Sequence, residues 1–134
     1  MSNPNRKIAL GLSAFTFLPV GTLVTFFPAS LYALNGLVLD PSAAMMSEIR
    51  APGVFILLAG VLALCGLFRQ ALEGPALLAS AALLLSYGIG RLISLPLDGL
   101  PPVSLLVAMV IEVCLGTWCA VLSADRVKLS GQFA

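Results

Sequence analysis

Long apolar runs constrain the fold of this chain more than any other feature of its sequence. The runs 8–27 and 51–68 contain no charged residue, and 75–95 and 103–124 contain one each, Arg91 and Glu112. A helix of ~20 apolar residues matches the ~30 Å hydrocarbon core of a bilayer. The sequence therefore predicts an all-α fold, a four-transmembrane-helix bundle with spans at about 8–27, 51–68, 75–95 and 103–124.

The composition agrees with a membrane location. Of the 134 residues, 60% are hydrophobic and 10% are charged, whereas a soluble domain carries about 25% charged residues. The mean hydropathy is +1.07. We expect residues 1–134 to form a single integral membrane domain surrounded by the lipid bilayer.

Several function classes are disfavoured by what the sequence lacks. The net charge is +1 and there is no histidine, which argues against a nucleic-acid surface and a histidine-based metal or acid–base site. Cys65, Cys114 and Cys119 lie in apolar runs without a CxxC pair, so we interpret them as packing residues. No GxGxxG, P-loop, HExxH or GxSxG motif is present. We expect no metal, no cofactor and no nucleic-acid partner.

The connections contain helix start and stop signals. Asp40-Pro41 pairs a capping side chain with a proline, which predicts a short interfacial helix between spans one and two that leads toward Arg50. Gly74-Pro75 predicts a turn before span three. Pro96 disfavours helix in the residue before it, so we expect this span to end near residue 95.

Basic residues predict the orientation. Arg6, Lys7, Arg69, Arg126 and Lys128 fall on one side of a four-span arrangement. Since lysine and arginine accumulate in cytoplasmic loops, both termini are expected to be cytoplasmic. The first apolar run also has the layout of a signal peptide, but no small-x-small cleavage site follows it, so we interpret it as a retained helix.

Two charges lie inside the apolar spans and require partners. An isolated charge near the centre of an inserted helix costs about 2.5 to 3.5 kcal/mol or more. We therefore expect Arg91 and Glu112 to face inward and form an ion pair. Small residues at intervals of four support this placement; they are Ala108, Gly116 and Ala120 around Glu112, and Ala82, Ser86 and Gly90 on span three.

Further polar residues occur near the same end of the predicted bundle. On span three, Tyr87, Arg91 and Ser94 are spaced by four and three residues, so they share one helix face. We predict a binding cluster that consists of Glu48, Arg50, Tyr87, Arg91, Ser94, Asp98 and Glu112. The alternative interpretation is a buried ion-pair network that only fixes the helix register.

With these residues the chain resembles a bacterial family of small four-helix inner-membrane proteins of unknown function, similar in character to DoxX-like proteins. The resemblance rests on Glu48-Ile49-Arg50, on the segment from Gly90 to Ser94 with Asp98-Gly99, and on Glu112. It implies a multi-pass protein of the bacterial inner (plasma) membrane. It implies no established activity.

Two hypotheses of function follow. The first is a non-enzymatic protein that binds an amphiphile or a partner subunit through an outward-facing charged pocket, where paired arginines would suit anionic groups. The second is a membrane enzyme or electron-transfer accessory in which Glu112 and Tyr87 transfer protons near a lipid or quinone. The sequence identifies neither the ligand nor the oligomeric state, and a homo-oligomer remains open.

Overall fold

The structure of the chain, a computed structural model, describes the backbone of residues 3–131 and the side chains of residues 3–125. Its helices are α1 (Pro4–Phe26), α2 (Pro28–Leu34), α3 (Ala43–Phe68), α4 (Gln70–Asp98) and α5 (Val103–Gly131). No strand occurs among the described residues, so the predicted all-α fold is confirmed. Arg126 and Lys128 contributed to the prediction of the orientation, and their side chains lie outside the described residues.

Four helices are long and apolar enough to cross a membrane, namely α1, α3, α4, and α5 from Val103 to Asp125. Their outer surfaces carry large apolar side chains, such as Phe15, which is 79% exposed, and Leu78, which is 62% exposed. Soluble monomers rarely expose apolar surface on this scale, whereas acyl chains cover it in a bilayer. The chain is a multi-pass membrane protein.

The short helix between the first two spans is α2, and it lies earlier in the chain than the Asp40-Pro41 signal predicted. Pro28 occupies the first position of α2, where its missing N–H costs nothing. Residues 43–50 instead form the first turns of α3. Ser42 caps this helix, because its hydroxyl accepts a hydrogen bond from the Met45 backbone N–H at 3.4 Å.

The connection between α3 and α4 is the single residue Arg69, in an extended conformation with φ −118° and ψ 108°. Gly74 and Pro75 lie inside α4, where the sequence predicted a turn, and Pro96 lies in its last turn. Each proline removes one backbone hydrogen bond near a helix end. Gly99, at φ 92°, terminates α4 instead.

Helices α1 and α3 pack antiparallel with their backbones in close contact. A Cβ added at Gly21 would lie 2.6 Å from the Leu57 backbone nitrogen, and one added at Gly53 would lie 2.9 Å from the Thr25 backbone nitrogen. Only glycine permits this approach, which maximises van der Waals contact between membrane helices. Buried apolar side chains from all four long helices form the core, including Leu10, Phe17, Ile56, Leu77, Leu84 and Leu115.

Helices α4 and α5 pack through a different face of α4 than the small-residue pattern predicted. Gly116 does lie in the interface, where an added Cβ would be 3.0 Å from the Leu84 Cβ. Ala82, Ser86 and Gly90, however, are exposed on the outer surface. The buried face of α4 is about one residue further round the helix and includes Ala81 and Gly88; a Cβ added at Gly88 would lie 2.7 Å from the Val113 Cγ2.

The alternation of helix direction gives the bundle two distinct ends. The start of α1, the end of α3, the start of α4 and the end of α5 form the terminus end. Helix α2 and the connections 35–42 and 99–102 form the loop end.

Candidate functional site

A cavity of about 600 Å³ opens at the loop end of the bundle, and we call it the central cavity. On α4 it extends from Leu83 to Arg91, which corresponds to ~12 Å along the helix. Most of its lining is apolar, and its size falls in the range of small-molecule sites. Its apolar side chains include Phe17, Val20, Val24, Leu31, Ile49, Ile56, Leu83, Leu84, Leu105 and Ile111.

The ion pair predicted between Arg91 and Glu112 is present in the wall of the central cavity. Arg91 Nε donates a hydrogen bond to Glu112 Oε2 at 2.9 Å. The arginine side chain is 30% exposed and the glutamate side chain 12%, so the guanidinium reaches open space while the carboxylate lies behind it. Within the described part of the chain, the terminal nitrogens of Arg91 make no hydrogen bond. They remain available to a ligand.

Tyr87 and Glu48 also line the central cavity. Tyr87 lies one helical turn below Arg91 and shares the cavity lining with Arg91, Glu112 and Tyr32. Glu48 is exposed near the start of α3 and forms no ion pair with any described residue. Four members of the predicted cluster, Glu48, Tyr87, Arg91 and Glu112, are therefore brought together around one space.

The other three members of the predicted cluster lie outside the central cavity. Arg50 is exposed and borders a separate shallow groove beside Met46 and Val54. It follows Glu48 by two residues, so a continuous helix directs the two side chains to different faces. Ser94 donates a hydrogen bond to Asp98 at 2.5 Å on the exposed end of α4. The expected arrangement of paired arginines is not formed.

Three polar residues that line the central cavity near its opening are absent from the predicted cluster. Tyr32 belongs to α2, Asn35 follows it, and Ser104 is in the first turn of α5. The Ser104 hydroxyl donates to Asn35 Oδ1 at 2.7 Å, and the Asn35 amide donates to the Leu31 carbonyl at 2.9 Å. A hydrogen bond thus connects the end of α2 to α5 across the opening. No short-range sequence pattern indicates a contact between segments so far apart.

A second ion pair, also missed, lies at the terminus end. Arg6 Nη1 is 3.3 Å from Glu73 Oε1, and the two side chains are 11% and 4% exposed. In the sequence, Arg6 serves only as a flanking charge in the orientation pattern, and Gly74-Pro75 predicts a turn in the region of Glu73. Glu73, Ser80 and Tyr87 are seven residues apart, so they share one face of α4, and this spacing is the signal that could have indicated an inward glutamate.

The described residues contain no group of three or more histidine, cysteine, aspartate or glutamate side chains that could hold a metal ion. The cysteines are free. Cys119 is buried with its Sγ 3.6 Å from the Ser13 hydroxyl, as expected for a packing residue. Cys114 is exposed on the outer surface of α5, so its side chain does not belong to the core.

The fold and the site together define a class of protein, a small multi-pass helical membrane protein with a partly polar cavity at one end of its bundle. Residues 6–123 match the family described as Domain of unknown function (DUF4345), and the chain belongs to that family. This confirms the resemblance to a family of unknown function. No curated protein and no solved structure matches the chain.

Proposed function

We propose that this protein is a non-enzymatic membrane protein that binds an amphiphile in the central cavity. The observation that carries the proposal is the joint presence of an apolar inner wall and of Arg91, whose terminal nitrogens are unbonded. A guanidinium with free N–H groups binds phosphate or carboxylate oxygens well. Apolar side chains deeper in the cavity would contact a hydrocarbon chain.

The order of polar and apolar groups along the central cavity supports this proposal. Asn35, Glu48 and Ser104 lie toward the loop end, whereas Phe17, Leu84 and other apolar residues lie toward the middle of the bundle. A lipid in a leaflet has its head group and its chains in the same order. Such a molecule enters the cavity without reversing its orientation.

Glu112 has a positioning role in this proposal. Its bond to Arg91 Nε at 2.9 Å restrains the guanidinium and leaves the terminal nitrogens without a hydrogen bond to any described residue. The competing interpretation is an ion pair that only fixes the register of α4 and α5. The Arg91–Glu112 pair lies on a cavity wall, and the Arg91 side chain is 30% exposed. This location favours a role in binding over packing alone.

Native mass spectrometry of the protein purified in mild detergent tests the proposal. We expect the wild-type protein to retain a lipid or quinone mass. Ala108→Trp places an indole in the central cavity and should abolish retention. Ala82→Trp is the matched control, since Ala82 is exposed on the outer surface of α4, and it should retain the adduct.

The outcomes separate the alternatives. A wild-type protein with no small adduct, or an Ala108→Trp variant that retains as much adduct as Ala82→Trp, would contradict the proposal. A bound mass in the range of a polypeptide would identify a partner subunit or a homo-oligomer as the occupant instead.

We further propose that the protein resides in a bacterial inner membrane with both termini cytoplasmic and the central cavity facing outward. Arg6, Lys7 and Arg69 lie at the terminus end, and a basic excess is typical of the cytoplasmic side. The cavity then accepts its ligand from the outer leaflet.

The second candidate is a membrane enzyme or electron-transfer accessory that uses Glu112 and Tyr87 in proton transfer. The observation in its favour is that Tyr87 and Glu112 both line the central cavity. Glu112→Gln distinguishes the two candidates. If this variant folds and keeps its bound amphiphile but loses a conversion that the wild type performs on it, the enzyme is favoured; if no conversion occurs in the wild type, the binding protein is favoured.

A further inference from the structure

The charged side chains that line the central cavity do not balance. They are one guanidinium, Arg91, and two carboxylates, Glu112 and Glu48, so the lining has a formal charge of −1. Glu112 is bonded to Arg91 at 2.9 Å. Glu48 has no ion-pair partner among the residues that the structure describes. The site thus offers one free carboxylate and one guanidinium with free N–H groups.

From this imbalance we propose that the amphiphile of the central cavity is a phospholipid with a zwitterionic head group, whose phosphate binds Arg91 and whose ammonium binds Glu48. This inference rests on the proposed function and specifies its ligand. An anionic lipid would satisfy Arg91 but would add negative charge beside two carboxylates, and like charges in one site are repulsive. A zwitterionic head group satisfies both free groups at once.

The positions of the two groups suit the two parts of such a head group. Arg91 lies seven residues before the end of α4 and Glu48 five residues after the start of α3, which corresponds to depths of ~10 and ~8 Å. The phosphate, which is nearer the acyl chains, therefore meets the deeper group. The ammonium, at the outer end of the head group, meets the group nearer the opening.

The volume limits how much of the lipid enters. About 600 Å³ has room for roughly 20 water-sized groups, at ~30 Å³ for each. This holds a phosphoethanolamine head group and part of one chain. The remaining hydrocarbon extends into the bilayer, so the lipid is bound by its head and the adjacent atoms.

A competition experiment tests the charge preference. The detergent-purified protein is mixed with equal mole fractions of phosphatidylethanolamine and the anionic phosphatidylglycerol, and retained lipids are counted by native mass spectrometry. The wild type should favour phosphatidylethanolamine. Glu48→Gln removes the unpaired carboxylate and should shift the retained ratio toward phosphatidylglycerol by about threefold, the effect of one like charge at an exposed site.

Asp98→Asn is the matched control. Asp98 is an exposed acidic residue of the same loop end, as Glu48 is, but it lies outside the cavity lining. Its neutralisation changes the overall charge of the protein as much as Glu48→Gln does, so it should leave the retained ratio unchanged. Arg91→Gln should reduce retention of both lipids, because both depend on the phosphate contact.

The possible failures are distinguishable. If the wild type retains neither phospholipid but carries a quinone or another amphiphile, the head-group inference is wrong while amphiphile binding stands; if it carries no amphiphile at all, the proposed function itself is contradicted. If it retains phosphatidylglycerol as well as or better than phosphatidylethanolamine, or if Glu48→Gln and Asp98→Asn shift the ratio equally, the zwitterionic preference is wrong while amphiphile binding stands.

Discussion

Two arginine–glutamate pairs lie at opposite ends of the bundle, and they differ in what surrounds them. The Arg91–Glu112 pair borders a cavity, with the arginine 30% exposed, whereas the Arg6–Glu73 side chains are 11% and 4% exposed. The Nε atom of Arg6 is buried without a hydrogen-bond partner. The first pair is therefore suited to binding, and the second joins α1 to α4 as part of the packed interior.

Loss of the Arg6–Glu73 pair should destabilise the protein. Glu73→Gln removes the carboxylate and leaves Arg6 as a buried charge without its counter-ion. We expect the free energy of unfolding to fall by about 1 to 3 kcal/mol. Unfolding in mixed micelles with increasing sodium dodecyl sulfate, followed by the fluorescence of Trp118, measures this change.

Glu48→Gln is the control for that experiment. Glu48 is exposed and has no ion pair with a described residue, so the same chemical change should alter the free energy of unfolding by less than about 0.5 kcal/mol. Equal destabilisation by both variants would show that the Arg6–Glu73 pair contributes nothing specific.

For individual residues, the sequence predicts an ion pair when both charged residues stand alone inside apolar spans. Arg91 and Glu112 are single charges inside long apolar spans, so each requires a counter-ion and the choice is small. Arg6 and Glu73 lie near helix ends, where charges are usually solvated. Their burial depends on α4 beginning at Gln70, which the Gly74-Pro75 pattern does not indicate.

At the scale of helices, the contact of α1 with α3 depends on glycine. Gly21→Ala would place a Cβ 2.6 Å from the Leu57 backbone nitrogen and 2.7 Å from its Cα. Neither atom can move without shifting α3. We expect a loss of about 1 to 3 kcal/mol in the free energy of unfolding, measured by the same detergent titration.

Gly11→Ala is the matched control on the same helix. A Cβ at Gly11 would have no neighbour within 4 Å, and alanine favours helix over glycine by about 0.5 to 1 kcal/mol. This variant should be unchanged or slightly more stable. If Gly21→Ala were equally well tolerated, the close packing of α1 and α3 would be wrong.

Helix α2 should become more mobile when its connection to α5 is removed. Ser104→Ala deletes the hydroxyl that donates to Asn35, and a seven-residue helix has little stability of its own. We expect faster amide hydrogen exchange over residues 28–37, measured by mass spectrometry.

Ser86→Ala provides the comparison for this measurement. The Ser86 hydroxyl donates to the Ala82 carbonyl within α4 and touches no other element, so its loss should leave exchange in α2 unchanged. Unchanged exchange over residues 28–37 in Ser104→Ala would mean that the hydrogen bond to Asn35 does not hold α2 in place.

The long helices were predictable and α2 was not, for a physical reason. Spans are specified by ~20 consecutive apolar residues, a signal that local changes do not disturb. Helix α2 is seven residues long and is stabilised by contacts with α1 and α3, which are absent from its own sequence. Pro28, which directly follows the apolar run 8–27, begins this helix.

At the scale of the whole molecule, the central cavity lies between two helix pairs, α1 with α3 and α4 with α5. Glycine contacts bring α1 and α3 together at Gly21 and Gly53, and they bring α4 and α5 together at Gly88, where an added Cβ would lie 3.4 Å from the Glu112 Cβ. Side-chain volumes in several helices determine this space jointly. For that reason the sequence predicted four residues of the lining, namely Glu48, Tyr87, Arg91 and Glu112, but not its apolar residues.

The orientation of the whole bundle in the membrane is the last prediction. In a variant whose Cys65, Cys114 and Cys119 are replaced by alanine, single cysteines are introduced at Leu100, in the loop end and 86% exposed, or at Ala71, exposed near the start of α4. A membrane-impermeant maleimide should label Leu100→Cys in intact spheroplasts and Ala71→Cys only after lysis. We expect this labelling pattern because the basic residues at the terminus end resist transfer across the membrane. Labelling of Ala71→Cys before lysis would place the central cavity on the cytoplasmic side, and its ligand would then come from the inner leaflet.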